Sequence, residues 1–283
     1  MRLRRRIRTQ TLRQRRRQIV IEGMAYLLAI IGSVILLLSQ LSMVEATAIR
    51  TVNVRGNSAT PSPQLLDVVR EKVRGHYLYL FSRGNILLYP RFSIEREIVK
   101  RFPRVKDVDV DVENLTTISV TVAERKEVAK YCASDTRCFL LDADGFIFAP
   151  ALVASDVSAS LFVYRVTEAA RAIGDRVLAP DAFRSLNGFV VSARGLGIGP
   201  VELTIVGDRE YRLLLRGGAE IIFDPADGYS QILENLRIVL GANELKTRLE
   251  DGRLIEVDYI DLRYGNKVFY KLERDTNTQI ENE

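Results

Sequence analysis

Between Glu22 and Glu45 the chain runs for 22 residues, Gly23 to Val44, without a charged side chain. A helix of that length rises roughly 33 Å, enough to cross a hydrocarbon layer of ~30 Å. Upstream, residues 1 to 18 hold nine arginines (Arg2, Arg4, Arg5, Arg6, Arg8, Arg13, Arg15, Arg16 and Arg17) and no acid, and no such cluster follows the apolar stretch. Basic flanks stay on the cytoplasmic side, so the asymmetry predicts an N-terminus inside and the remainder translocated. A secretory signal peptide shares the basic start and apolar core, and Ala46-Thr47-Ala48 offers small residues for cleavage. Signal cores run ~7–15 apolar residues, and the greater length here favours a retained span. The expectation is a cytoplasmic Arg-rich tail over 1–22 and a transmembrane helix over 23–45. The chain would then cross the cytoplasmic (inner) membrane once, with its later domains periplasmic or extracellular.

The formal charge of +5 belongs to the tail. With its nine arginines set aside, 32 basic residues face 36 acidic ones. A mildly acidic body gives no support for a phosphate-binding groove, and the tail has no aromatic ring on which a base would stack. Lipid headgroups, and not nucleic acid, are the expected contact of the arginines. The only two cysteines, Cys132 and Cys138, lie six apart in the translocated part. An oxidising compartment and this spacing suit a small disulfide-bridged hairpin loop, YCASDTRC, with a pair of reduced structural thiols as the alternative. A metal site would need closer pairs and further ligands.

Periodicity divides the external part in two. Ala48 to Val54 reads as a strand ending at the turn pair Gly56-Asn57. A helix then carries Leu65, Leu66, Val68, Val69 and Val73 at 3.6-residue spacing, with Pro61 and Pro63 at its start and Gly75 past its end. HYLYLFSRGNILLYP reads as an irregular connection carrying hydrophobic plugs. Phe92 to Phe102 is a second helix, with Ser93 placed to cap it and Ile94, Ile98 and Phe102 as its apolar stripe, stopped by Pro103. The period then changes to two: Val105, Val108, Val110 and Val112, then Ile118, Val120 and Val122, form two halves of an antiparallel hairpin around Asn114-Leu115-Thr116.

From Val128 onward strands dominate. Phe139 to Leu141 and Phe146 to Phe148 flank the turn Asp142-Ala143-Asp144-Gly145, whose Asp-Gly step suits a tight hairpin. Leu161 to Val166 is a strand, and Pro180 to Arg194 a helix burying Phe183, Leu186, Phe189 and Val190. Val201 to Val206, Tyr211 to Leu215 and Glu220 to Phe223 make an antiparallel sheet. Ser230 to Leu245 is an amphipathic helix, the final strands run from Leu254 to Leu272, and a polar, frayed tail covers 274–283.

The β-α-α-β-β order directly after a span, with its Gly-Asn turn, the Phe-Pro before strand two and Glu124-Arg125-Lys126 after strand three, resembles a POTRA domain. With FLLDADGFIF (Phe139 to Phe148) and YIDLRYGNKVFYK (Tyr259 to Lys271), the whole layout is similar to the FtsQ/DivIB family of bacterial cell-division proteins. The resemblance implies an α+β chain: one N-terminal transmembrane helix, a POTRA domain over 48–126, and a mostly antiparallel β domain with flanking helices over 127–273. It implies septum assembly without enzymatic activity, the partners being FtsB/FtsL-like proteins, other divisome components and membrane lipid.

Searching for chemistry gives little. The single histidine, His76, has no nucleophile to pair with and reads as a solvated loop residue. Asp142 and Asp144 fit turn chemistry, with no EF-hand glutamate after them. Gly195-Leu196-Gly197-Ile198-Gly199 is followed by Pro200 and a strand where a dinucleotide loop needs a helix, so it reads as a turn. No catalytic residue, cofactor or metal is expected. Binding surfaces remain. In the last strand, Tyr264 to Tyr270, apolar and aromatic residues alternate with polar ones, and no later segment is expected to cover its far edge, an arrangement that invites strand addition. Guarding of that edge by Lys267 and Lys271 is the alternative. The resemblance favours addition and implicates Tyr264, Asn266, Lys267, Val268, Phe269 and Tyr270. A second expected surface is the strand Val105 to Val112, whose Asp107, Asp109 and Asp111 would form a row of acids. Another function carried by POTRA-like modules, a membrane-anchored transport or secretion accessory, stands as the other reading.

Overall fold

The computed structural model describes residues 12–151, 160–242, 245, 247–265 and 267–272. Two compact units, 1–124 and 125–283, each carry a hydrophobic core. Among the described residues the chain is a mixed α+β protein with five helices and one large, mostly antiparallel sheet.

The first unit opens with α1 (Leu12–Ser42), of which Arg15–Ser42 is long and apolar enough to cross a membrane. The helix begins within the arginine-rich segment, because Arg, Gln and Leu are good helix formers and no breaker precedes Gly23. It ends at Ser42, short of the expected limit at 45. Tight bonds from Met43 N to Gln40 O and from Val44 N to Leu41 O close its last turn, and a 3-10 turn, Glu45–Thr47, follows. Residues 1–11, with five of the arginines, lie outside the described residues.

Next come β1 (Thr51–Arg55), α2 (Ser62–Val73), a short hairpin of β2 (His76–Tyr77) and β3 (Phe81–Ser82), α3 (Arg91–Arg101), β4 (Val105–Asn114) and β5 (Thr117–Glu124). The sheet order is β1-β5-β4, β1 running parallel to β5 and β5 antiparallel to β4. Leu65, Val68 and Val69 of α2 and Ile94 and Ile98 of α3 are buried, their 3.6-residue stripes joining the alternating valines of the sheet in one core. Three expectations need correction. Ser93 does not cap α3: the helix starts one residue earlier, behind Pro90, which leaves Ser93 inside the first turn with no capping bond. HYLYLFSRGNILLYP is not wholly irregular, since it contains the β2–β3 hairpin, and His76 sits on β2, exposed, rather than in a loop. Val112 is exposed, whereas Val105 and Val108, three apart, are both buried, because a register shift between Val105 and Asp107 restores the inward face.

Glu124, at the end of β5, closes the turn after β1. Its carboxylate accepts from Ala59 N (3.0 Å), Thr60 N (2.8 Å) and Ser58 Oγ (2.7 Å). Burial alone raises its pKa, but these donors outweigh burial and hold it at about 2. A folded-state pKa below the unfolded value stabilises the protein above the unfolded carboxylate range, and that stability is lost as pH falls toward 2. Because the group is partly solvated, the contribution is on the order of 1 kcal/mol after screening. Glu124→Gln is expected to flatten the loss of stability of this unit between neutral pH and pH 3, read by hydrogen exchange at β1 and β5.

The second unit comprises β6 (Ala129–Cys132), β7 (Cys138–Leu141), β8 (Ile147–Pro150), β9 (Val163–Val166), α4 (Pro180–Arg194), β10 (Pro200–Ile205), β11 (Tyr211–Leu215), β12 (Glu220–Phe223), α5 (Tyr229–Gly241), a small hairpin of β13 (Leu249–Glu250) and β14 (Arg253–Leu254), then β15 (Val257–Tyr264) and β16 (Lys267–Leu272). Nine strands join in the order β16-β15-β12-β11-β10-β9-β6-β7-β8. Pairings β12–β15, β9–β10 and β6–β9 are parallel, the rest antiparallel. Helices α4 and α5 are the crossovers that the first two of these need. Phe183, Leu186, Phe189 and Val190 of α4 and Ile232 and Leu236 of α5 are buried in the core of this unit. The amphipathic helix ends at Gly241, before the expected Leu245. The expected tail over 274–283 lies outside the described residues.

Cys132 and Cys138, directly opposite one another at the end of the β6–β7 pair, form a disulfide. The loop is small, so the chain-entropy model assigns it roughly 2 kcal/mol. Reduction of the intact chain, or replacement of both cysteines by serine, is expected to lower the thermal midpoint of this unit by a few degrees. An unchanged midpoint would show that the bond does not constrain the unfolded chain.

Candidate functional site

The candidate site lies at one rim of the nine-stranded sheet, and β15 determines its geometry. Ile260 and Leu262 enter the core, while Asp261, pointing to the other face, is buried as well. A buried carboxylate needs a cation. Arg263, two residues on and therefore on the same face, donates from Nε to Asp261 Oδ1 at 3.0 Å and from Nη2 to Oδ2 at 2.6 Å. Its remaining nitrogen reaches Glu210 Oε2 at 2.5 Å, and Glu210 in turn holds Arg212. Burial raises the Asp261 pKa, but the bonds from Arg263 prevail and hold the carboxyl below its ordinary value.

After β15 the chain reverses through Gly265, at φ 65°, where a side chain would be strained. Asn235 of α5 donates from Nδ2 to Gly265 O at 2.9 Å and pins the turn to the helix. Along β16, Val268 and Leu272 are half-buried against the core, while Lys267, Phe269, Tyr270 and Lys271 are exposed. Phe269 stands opposite Asp261 and is 52 % exposed. Register shifts between Asp261 and Tyr264, so Tyr264 meets Phe269 edge-on with ring centroids 5.0 Å apart. Lys271 pairs with Asp258 at 2.5 Å. Among the described residues, β16 hydrogen-bonds to β15 on one flank and to no strand on the other.

Of the six residues singled out from sequence, the structure brings Tyr264 and Phe269 into ring contact and leaves Lys267 and Tyr270 exposed on the same strand. Val268 faces the core of its own unit, which leaves its backbone and not its side chain for a partner. Asn266 lies outside the described residues. Sequence reasoning missed the Asp261–Arg263–Glu210 network and Asn235. An acid and an arginine two apart, flanking Leu262 in the strand VDYIDLRY, were the available signal.

The second expected surface changes character. β4 is an edge strand, but Arg91 of α3 reaches both Asp109 and Asp111 (2.8 Å to the latter) and also Glu95 at 2.9 Å. One guanidinium shared among three carboxylates offsets part of their charge, so Asp109 and Asp111 are tied to α3 while the strand face stays net acidic. Asp142 accepts from Asp144 N and Phe146 N, as a turn residue does, and pairs with Arg125. The Gly195 to Gly199 segment is a turn held by Gly199 N donating to Gly252 O at 2.8 Å. Among the described residues no group of three His, Cys, Asp or Glu side chains is arranged to hold a metal. Compared with family models and with curated proteins, the chain matches none.

Proposed function

We propose that this chain is a membrane-held, non-enzymatic scaffold of the FtsQ/DivIB kind, which serves bacterial septum assembly by recruiting an FtsB/FtsL-like partner through strand addition at β16. The observation that carries the reading is the outer flank of β16, which has no neighbouring strand among the described residues while its inner flank is locked to β15. An edge strand offers N–H and C=O groups to an incoming chain, and side chains beside it select which chain enters. The edge-to-face pair Tyr264 and Phe269 is such a selector, since aromatic rings supply large contact area at small entropic cost.

The order β1, α2, α3, β4, β5, with β1 parallel to the central β5, supports a POTRA assignment for the first unit. The span α1, with arginines at one end only, supports an N-terminus in the cytoplasm and both units outside it. The test is co-purification of the full-length chain with an FtsB/FtsL-like protein. A complex that survives intact when Phe269 carries a charge removes β16 as the docking strand.

A further inference from the structure

The β2–β3 hairpin displays its apolar side chains to the outside. Leu78 is 85 % exposed and Tyr79 97 %. Both sit at positive φ, 48° and 63°, a backbone region that side-chain-bearing residues adopt at a cost. Leu87, in the connection that follows, is 79 % exposed. Large apolar side chains gathered on a surface mark contact with something other than water.

The way the hairpin is tethered identifies that contact. Ser39 Oγ donates to Leu80 O at 2.5 Å, and Ser42 Oγ accepts from Ser82 N at 3.3 Å. Asn85, buried, donates from Nδ2 to Ser42 O at 3.1 Å, and Ile86 N donates to Thr47 O at 2.8 Å. Ser39 and Ser42 belong to the last turns of α1, within the uncharged stretch Gly23 to Val44. Measured from Gly23, Ser39 stands roughly 24 Å along the helix and Ser42 roughly 29 Å. With a hydrocarbon layer of ~30 Å starting at Gly23, Ser42 falls at its outer boundary and Ser39 about one helical turn inside it. A hairpin bonded to them is held at that same depth.

We infer that the tip of this hairpin, Leu78 and Tyr79, inserts into the interfacial layer of the lipid bilayer that α1 crosses. Tyrosine is enriched at headgroup level because its ring is apolar and its hydroxyl is hydrated. Arg83, whose guanidinium lies 4.9 Å from the centre of the Tyr77 ring, and the exposed Arg74 bring positive charge to the height of the phosphates. The unit thus rests on the membrane at two places, the helix and the hairpin. The inference requires that α1 spans, and it is independent of what β16 binds.

The experiment uses the full-length chain in vesicles of phosphatidylethanolamine and phosphatidylglycerol. A polarity-sensitive fluorophore is attached through Tyr79→Cys, the native cysteines being consumed in their disulfide. Gln64→Cys, exposed in the first turn of α2 and roughly 14 Å along that helix from Val73, is the control. Blue-shifted emission and at least a several-fold stronger quenching by shallow nitroxide-labelled lipid at 79 than at 64 is the expected result. Emission typical of water, with iodide quenching equal at the two sites, overturns the inference. A shielded probe that lipid nitroxides do not quench also overturns it, since protein then covers the tip. An unlabelled check avoids any pull from the fluorophore. Wild-type chain in vesicles is expected to resist trypsin at Arg74 and Arg83, and Leu78→Ser with Tyr79→Ser to be cut several-fold faster; equal rates count against insertion.

Discussion

Phe269→Glu in the full-length chain is expected to weaken capture of an FtsB/FtsL-like partner at least ~30-fold, the equivalent of about 2 kcal/mol at an interface hot spot. The substitution removes the ring that meets Tyr264 edge-on and places a carboxylate beside the buried Asp261 across the strand pair. Phe269 is half-exposed and outside the core cluster, so the fold itself is expected to lose less than about 1 kcal/mol. Titration of the purified chain in nanodiscs with the partner measures the affinity, and circular dichroism shows that the sheet persists. A second variant, Tyr264→Ala, is expected to cost less, since it removes one ring and adds no charge. Wild-type affinity in Phe269→Glu would exclude this rim as the site of docking.

Gly56→Ala is expected to be the most damaging small substitution in the first unit, at about 3 kcal/mol or more. Gly56 holds φ 80°, and a Cβ built there meets the backbone oxygen of Val122 at 2.2 Å. That oxygen belongs to β5, the central strand, which is paired on both flanks and has nowhere to move. Gly75 is the control: its φ is 88°, yet an added Cβ meets nothing within 4 Å. Gly75→Ala should therefore cost only the backbone penalty, about 1 kcal/mol. Hydrogen exchange at β1 and β5 amides in the intact chain separates the two, with β10 to β12 as the internal reference. Equal protection in the two variants would mean that the strand end gives way more easily than its pairing implies.

Periodic segments are legible in the amino-acid sequence itself. α4 spans Pro180 to Arg194 as its spacing predicts, because Pro180 fits the first helical position and four apolar residues fall on one stripe. β11 and β12 keep their expected limits, since the Gly217-Gly218 turn parts them and Asp224-Pro225 ends the second. What escaped the sequence was set by long-range pairing. The parallel contacts β9–β10 and β12–β15 come from crossovers that put strands distant in sequence side by side, and alternation carries no trace of direction. The β2–β3 hairpin escaped because Leu78 and Tyr79 occupy positions where glycine or asparagine is the usual signal. At the candidate site, the strand Lys267 to Leu272 and its aromatic content were readable. The inward turn of Val268 and the pairing of Asp261 with Arg263 depended on which face the register shift left outside.

The far rim of the large sheet differs from the one at β16. β8 has four residues and ends in Pro150, which has no N–H to donate. Proline and brevity discourage pairing at a sheet margin. Backbone bonds from Ile147 N to Asp175 O and from Gly174 N to Ile147 O cover part of this rim as well, so β16 is the margin left for pairing among the described residues. If a guest strand joins at β16 as proposed, the expected ratio is one guest segment to one host, and copies of this chain are not expected to concatenate through the sheet.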